Sequence, residues 1–136
     1  MRKITGKISW FGGKNGGMKP GEPWALYDWL FNETGDWMSQ PIIRQNYCAI
    51  RFDYNAIAQS EVISLSEVKD RIRNAEIVIE FKGKSMPVIP VDWGPHPKTG
   101  RIIDVSRTVM GKLGCRTDDI VIVYLPNWLK LTDRLL

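Results

Sequence analysis

The sequence is poor in cysteine and histidine and has no long apolar run. Its 136 residues include two cysteines and one histidine. No apolar run reaches the roughly 20 residues that a membrane span needs, and glycine and proline follow no collagen period. Cys48 and Cys115 fit neither a CxxC site nor a disulfide-dense secreted scaffold. We therefore expect two core thiols, no metal centre and no cofactor.

Charge of one sign is not concentrated in any segment. Nineteen lysine and arginine residues against fifteen aspartate and glutamate residues give a net charge of +4, a mild excess that favours an anionic partner such as a nucleic acid or a cell-wall polymer. The basic residues form no long block, no arginine-rich helix and no zinc-finger spacing. Nucleic-acid binding would rest on net charge alone, so we do not expect it.

A hydrophobic fraction of 43% and a charged fraction of 25% are typical of a folded globular domain. A chain of this length can bury roughly two-thirds of its unfolded surface without disulfides or metals. We expect one domain over residues 1–136. The first seven residues carry positive charge, but no apolar segment follows them, which argues against a secretory signal. We therefore expect a chain made in the cytoplasm.

Short strands account for most of the predicted regular structure. The segment 120–125 is continuously apolar, which predicts burial on both faces, and Pro87 and Pro90 place their strand at an edge or a bulge. A turn at 82–84 joins two strands into a hairpin. The predicted strands cover residues 4–11, 47–52, 76–81, 85–91, 101–105 and 120–125.

Two short helices interrupt these strands. Ser66 is a suitable N-cap for a helix over 67–73, and Ser106 is one for a helix over 107–113 that Gly114 closes. Residues 24–31 suit either a packed irregular segment or a third short helix. Five or six short strands with two or three short helices predict a small β-barrel with helical decoration.

Two segments near the N-terminus are rich in glycine or aromatic residues. The glycines of 12–17 resemble a phosphate-binding loop, but no Gly-Lys-Ser/Thr leads into a helix there. Between residues 24 and 37 lie aromatic side chains, Trp24 among them, that either pack in a core or stack on sugar rings. The sequence leaves both roles open.

Five short motifs follow one another in a recognisable order. Residues 91–95 read Val-Asp-Trp-Gly-Pro, residues 100–106 read Gly-Arg-Ile-Ile-Asp-Val-Ser, and residues 113–114 read Leu-Gly before the closing strand. Upstream, residues 6–12 read Gly-Lys-Ile-Ser-Trp-Phe-Gly and residues 20–23 read Pro-Gly-Glu-Pro. Their order and spacing resemble the double-psi β-barrel of rare lipoprotein A and of the expansin N-terminal domain.

The resemblance implies a mainly β fold, namely a six-stranded double-psi β-barrel with two or three short helices. It is strongest over 86–125 and patchy over 4–23 and 47–54. Residues at about 24–46 do not match the family pattern and form an aromatic insertion in the predicted single domain.

The resemblance also implies glycan chemistry on peptidoglycan, by a lytic transglycosylase or a glycoside hydrolase. Such chemistry needs a carboxylic acid to protonate the glycosidic oxygen. Asp92 and Asp104 occupy the family's motif positions, and Glu22 is a third candidate. The separation of two facing carboxylates would distinguish a retaining from an inverting geometry, whereas a transglycosylase can use a single acid/base. Alternatively, Asp92 bonds turn amides and Asp104 lies at a helix start.

The chain departs from the family pattern at two positions that bear on catalysis. Ile50 stands where catalytic members carry histidine, and Trp93 replaces an arginine, which adds a stacking face. His96 either serves as acid/base or charge partner, or lies exposed in its loop. The predicted substrate-binding residues are Trp93, Trp10, His96, Arg101 and Tyr47.

Two other functions are compatible with the same motifs. The first is a non-catalytic, expansin-type module in which Trp93, Trp10 and Trp24 hold a cell-wall polysaccharide. The second is a wall-active or structural component of a bacteriophage particle, or another large assembly, that reaches the envelope by injection or lysis because no secretory signal is expected.

Overall fold

The computed structural model describes residues 1–12, 25–26 and 46–132. Six strands form a closed barrel in the order β1-β5-β2-β4-β3-β6. Their bounds are β1 Arg2–Trp10, β2 Tyr47–Ala49, β3 Ile77–Phe81, β4 Lys84–Asp92, β5 Arg101–Val105 and β6 Ile120–Leu125. The prediction of a mainly β, six-stranded barrel with two or three short helices is confirmed for this part of the chain. Residues 24–31, which suit a third short helix or an irregular segment, lie largely outside the described residues.

The helices lie between the second and third strands and between the fifth and sixth. They are α1 (Tyr54–Glu61), α2 (Leu65–Arg73) and α3 (Arg107–Leu113), and a single 3₁₀ turn spans Pro97–Thr99. Within α3, the Ser106 side chain accepts a hydrogen bond from the Val109 N–H, and Gly114 closes the helix in the left-handed conformation. Both predicted caps of α3 are therefore confirmed.

The pattern of strand pairing is unchanged when β1 is exchanged with β4, β2 with β5 and β3 with β6. β1 pairs with β5 in parallel and with β6 antiparallel, while β4 pairs with β2 in parallel and with β3 antiparallel. The remaining pairs are β2 with β5 and β3 with β6. Both are antiparallel, and the exchange turns each of them into itself. Each parallel pair also contains one register shift. The described strands thus form two equivalent halves.

The barrel interior is filled by aliphatic side chains from every strand. Ile8, Ile79, Ile103 and Val123 are fully buried within it. In β3 the buried residues alternate with partly exposed ones, which matches the period of two for a strand with one face on the core. The apolar faces of α1 and α2 pack on the same core through Ile57, Val68 and Ile72.

Three predicted elements differ from the structure. Residues 120–125 alternate in burial, with Ile120 exposed, so burial on both faces is wrong for that strand. Ser64, not Ser66, caps α2, because its side chain accepts the Glu67 N–H. The predicted strand over 47–52 is regular only over Tyr47–Ala49.

Pro87 and Pro90 were predicted to place β4 at a sheet edge or at a bulge, and the structure has an irregularity at Pro90. β4 pairs with β2 on one side and with β3 on the other, so it is not an edge strand. Pro90 pairs with Cys48, and the register then shifts so that Ala49 pairs with Asp92. The irregularity removes the need for a regular ladder hydrogen bond at this point.

Candidate functional site

Both predicted catalytic aspartates lie in one transverse row of the barrel. Ser9 of β1 pairs with Asp104 of β5, Asp104 pairs with Ala49 of β2, and Ala49 pairs with Asp92 of β4. Since neighbouring strands are about 4.8 Å apart, the backbones of the two aspartates are about 10 Å apart. The row brings Asp92 and Asp104 to one level of the barrel, with one strand between them.

The two carboxylates form hydrogen bonds with different parts of the protein. Asp104 accepts a hydrogen bond from the Ser9 hydroxyl on β1, the neighbour of β5 on the side away from β2. Asp92 accepts one from the Ala25 backbone N–H at 3.0 Å. In the described part of the chain, no hydrogen bond joins one aspartate to the other. A single acid/base fits this arrangement better than a facing pair does.

Asp92 borders a surface to which α1 also contributes. The Leu26 N–H donates to the Val91 carbonyl at 3.1 Å and holds residues 25–26 against the end of β4. On the other side lies Tyr54, whose pKa is raised to about 12, mainly by burial and additionally by the negative charge of Asp92. The Tyr54 hydroxyl oxygen is buried and has no hydrogen-bond partner among the described residues.

The loop that follows Asp92 is held close to the backbone after β2. A Cβ atom on Gly94 would lie 2.5 Å from the Arg51 nitrogen and 2.6 Å from the Ile50 Cα. The Arg51 guanidinium donates to the Gly94 carbonyl at 2.9 Å and to the Pro95 carbonyl at 3.2 Å. Only glycine permits this approach, and Arg51 fixes the loop that carries Trp93.

Trp93 is exposed and separates two pockets. Its exposed fraction is 58%, which is unusual for a tryptophan in a small domain. One pocket has a volume of 240 Å³ and is lined by Arg51, Phe52, Asp53, Tyr54, Asn55, Trp93 and Thr132. The other has a volume of 360 Å³ and is lined by Ala25, Tyr54, Asn55, Leu65, Lys69 and Trp93. Asp92 itself is not among the described lining residues of either pocket. Ala25, whose N–H it accepts, lines the larger pocket, and Tyr54, whose pKa its charge helps to raise, lines both.

The other predicted substrate-binding residues have different surroundings. Tyr47 has no exposed surface, and its hydroxyl donates to the Phe11 carbonyl at 2.9 Å, so its ring is not available for stacking in this conformation. Trp10 is 40% exposed, but the Arg107 guanidinium lies 3.9 Å from its ring centre and covers one face.

His96 and Arg101 lie outside the two pockets around Trp93. His96 is exposed, and its Nδ1 accepts the Lys98 N–H at 3.1 Å in a turn. Arg101 donates to Asp118 at 2.8 Å, and this hydrogen bond raises the pKa of Arg101. Both side chains have structural contacts, and their predicted roles in binding stay predictions.

Part of the predicted site lies outside the described residues. Glu22 and Trp24 are not among them, nor is most of the insertion at about 24–46 or of the glycine-rich segment at 12–17. Ala25 and Leu26 are described and contact the Val91–Asp92 end of β4.

Sequence reasoning missed the contribution of α1 to the site. The predicted strand over 47–52 is followed directly by Asp53, which caps α1 by accepting the Ala56 N–H at 3.0 Å. Aspartate is favoured at helix N-caps, and this is the one local signal for the helix, because the periodicity that follows it is weak. Tyr54 and Asn55 thereby reach both pockets.

Within the part of the chain that the structure describes, no three histidine, cysteine, aspartate or glutamate side chains come together as metal ligands. No described helix combines the length and apolar composition needed to cross a membrane.

Comparisons with known proteins give a similarity in structure but no match in sequence. No family model matches the chain, and no curated protein matches it in sequence. Among solved structures, the chain is similar to Streptomyces papain inhibitor, with 18% sequence identity and a TM-score of 0.46 over 89% of this chain and 92% of that one. This degree of similarity assigns neither a family nor a function.

Proposed function

We propose that the protein acts on the glycan strands of peptidoglycan, with Asp92 as acid/base and Trp93 as a sugar-binding platform. The observation that carries this proposal is the exposed Trp93, which directly follows Asp92 and has a pocket on each side. Aromatic side chains present apolar faces that suit the CH-rich faces of sugar rings.

The strand pairing supports the double-psi assignment of the barrel. A fold of two interlocked halves requires that exchanging the first three strands with the last three preserve every pairing. The six observed pairs have this property. The helices follow the same exchange, since α1 and α2 connect β2 to β3 while α3 connects β5 to β6.

The proposed reaction is a lytic transglycosylation with Asp92 alone. The protonated Asp92 carboxyl gives its proton to the glycosidic oxygen while the bond from that oxygen to the anomeric carbon breaks. The 6-hydroxyl of the same sugar then attacks the anomeric carbon and returns its proton to the Asp92 carboxylate. The products are a free 4-hydroxyl end and a 1,6-anhydro sugar, and no water is consumed.

Asp104 lies in the same row and is proposed to position the site. Its hydrogen bond with Ser9 ties β5 to β1 at the level of Asp92. Loss of its charge would disturb this level of the barrel without removing the acid, so a smaller loss of activity than at Asp92 is expected.

A second candidate function is polysaccharide binding without cleavage, as in expansins. The observation that favours it is Ile50, which is fully buried in the core where catalytic members of the resembled family carry histidine. No imidazole lies at this position, and His96 does not replace it because it lies outside both pockets around Trp93.

Digestion of purified peptidoglycan sacculi distinguishes these functions. Parent protein, Asp92→Asn and Asp104→Asn would be incubated with sacculi, and released muropeptides identified by mass spectrometry. Glu76→Gln is a matched control, since this carboxylate is exposed at the start of the β3–β4 hairpin, remote in sequence from both aspartates. Binding to the sacculi is measured in parallel by sedimentation, with Trp93→Ala as a further variant.

Each outcome selects one function. Anhydro-muropeptides that disappear in Asp92→Asn but persist in Glu76→Gln support the transglycosylase, whereas reducing-end products indicate a hydrolase. Sedimentation of the folded parent without release, weakened in Trp93→Ala, supports the binding module. A folded parent that neither releases muropeptides nor sediments with sacculi contradicts both functions.

A further inference from the structure

The two pockets beside Trp93 share one wall. Tyr54, Asn55 and Trp93 line both of them, and the remaining lining residues belong to one pocket only. A ligand that fills both pockets must therefore pass over these three side chains. The two pockets are therefore neighbours, with the side chain of Trp93 at their boundary.

The pocket volumes indicate the size of the ligand. Small-molecule sites commonly have volumes of about 300 to 1,000 Å³. The pocket of 240 Å³ falls below this range, the pocket of 360 Å³ lies at its lower end, and the two together fall well within it. A ligand of two connected units could therefore use both pockets, with a smaller unit in the first and a larger one in the second.

The lining of the two pockets differs in charge. The larger pocket contains the partly buried Lys69, which gives it a cation. In the smaller pocket the Asp53 carboxylate caps α1, and the Arg51 guanidinium bonds the Gly94 and Pro95 carbonyls. The larger pocket therefore favours a bulkier unit that carries a negative charge.

Asn55 supplies a polar group at the boundary. It is the second residue of α1, it is exposed, and its carboxamide has no hydrogen-bond partner among the described residues. A carboxamide both donates and accepts, which suits hydroxyl and amide groups near a linkage between two sugars.

We propose that this is an asymmetric two-sugar site, in which Asn55 binds the ligand at the linkage and Lys69 selects an anionic sugar for the larger pocket. The inference rests on the proposed glycan function and specifies its ligand. The repeating disaccharide of a peptidoglycan strand has this form where the stem peptide has been removed, because the larger of its two sugars then carries a free lactyl carboxylate. The anionic sugar would lie against Lys69 and the neutral sugar between Trp93 and Thr132.

Titration with soluble sugars tests whether the site requires two connected sugars for tight binding. The probes are N-acetylglucosamine, its β-1,4 dimer, and the N-acetylglucosaminyl-N-acetylmuramic acid disaccharide, followed by isothermal calorimetry or NMR. We expect both disaccharides to bind at least about tenfold more tightly than the monosaccharide. Asn55→Ala should weaken disaccharide binding about fivefold. Gln59→Ala, an exposed carboxamide one turn later on α1 and outside both pockets, should leave it unchanged.

Substitution of Lys69 tests which of the two pockets binds the anionic sugar. We expect the anionic disaccharide to bind about fivefold more tightly than the neutral dimer at low salt. Lys69→Gln should remove this preference, by weakening binding of the anionic disaccharide more than binding of the neutral dimer. Lys98→Gln, at an exposed lysine outside both pockets, should retain the preference.

The inference and the proposed function fail in different ways. Equal affinity for monosaccharide and disaccharide, or an Asn55→Ala variant that binds like the parent, overturns the two-sugar site while glycan binding stands. Unchanged preference for the anionic sugar in Lys69→Gln overturns its orientation. A folded parent that binds no sugar and no sacculi overturns the proposed function, and the two-sugar site with it.

Discussion

At the scale of single residues, two buried tyrosine hydroxyls have opposite surroundings. The Tyr47 hydroxyl donates to the Phe11 carbonyl, whereas the Tyr54 hydroxyl has no described partner. A buried polar group without a partner destabilises the folded state, while a buried hydrogen bond stabilises it modestly. The same change, Tyr to Phe, should therefore have opposite effects at the two positions.

We expect Tyr54→Phe to raise the free energy of unfolding by about 1 kcal/mol and Tyr47→Phe to lower it by about 1 kcal/mol. Urea denaturation of the parent and both variants measures this difference. Each variant serves as the control for the other, since both remove one hydroxyl from a tyrosine. A loss of stability in Tyr54→Phe would indicate that its hydroxyl is bonded in the folded protein.

The same tyrosines predict instability at alkaline pH. Burial raises the pKa of both Tyr47 and Tyr54 to about 12, against about 10 for an exposed tyrosine. Because the folded state favours the neutral form, this stabilisation is complete below pH 10 and is lost as the pH rises through 12. The unfolding free energy should fall between pH 10 and 12, and less steeply in a Tyr47→Phe/Tyr54→Phe double variant. Parallel pH profiles for parent and variant would contradict this.

Single residues also show what the sequence could and could not predict of the site. The motif at 91–95 located Asp92 and Trp93, because its glycine and proline require a loop directly after the carboxylate. The sequence predicts Tyr47 as a substrate-binding residue. Its burial could not be predicted, because it depends on contacts with Phe11, which is distant in sequence. Asn55 carries no local signal, since its position at the boundary follows from where α1 packs.

At the scale of elements, one glycine determines how the loop after β4 lies on the backbone after β2. A Cβ at Gly94 would contact three main-chain atoms of Ile50 and Arg51 at 2.5 to 2.7 Å. Main-chain atoms cannot move aside as a flexible side chain can, so the loop would have to separate from Arg51.

We expect Gly94→Ala to destabilise the protein by at least about 3 kcal/mol, because the close approach of two backbone segments is lost. Gly111→Ala is the matched control, since nothing lies within 4 Å of a Cβ there and the residue is inside α3. It should stabilise by about 0.5 to 1 kcal/mol through helix propensity. Thermal and urea unfolding measure both. A Gly94→Ala variant as stable as the parent would show that the loop tolerates displacement.

Elements with strong local signals were predicted well, and those defined by packing were not. The β3–β4 hairpin has a two-residue turn at Lys82 and Gly83, both with positive φ, which the Lys-Gly-Lys sequence indicated. The α3 helix has both of its caps in the sequence. By contrast, α1 was missed because its hydrophobic periodicity is weak and Ile57 is its only buried side chain.

At the scale of the whole molecule, the topology could not be derived from periodicity. Alternation identifies a strand but not its neighbour, and here β1 pairs with β5 and β6 rather than with β2. The order of the motifs predicted a six-stranded barrel, which periodicity alone did not indicate. In the structure, the pairing of β2 with both β5 and β4 brings Asp104 and Asp92 to one level.

A barrel closed in this way also protects the thiol of β2. Strand β2 is hydrogen-bonded to β4 on one side and to β5 on the other, and Cys48 lies in it with no exposed surface. Burial raises the pKa of the Cys48 thiol, so the reactive thiolate is suppressed in the folded state. A thiol reagent can reach Cys48 only when β2 separates from both neighbours, which opens the barrel as a whole.

Cys115 provides an internal comparison, because it follows α3 and is slightly exposed, at 8%. We expect iodoacetamide to label Cys115 well before Cys48 in native buffer, as followed by peptide mass spectrometry. At low urea concentrations, the rate of Cys48 labelling should increase with urea as steeply as global unfolding does. The rate of Cys115 labelling should increase less steeply. Equal labelling rates at the two thiols would mean that β2 opens locally, and the barrel would then not unfold as one unit.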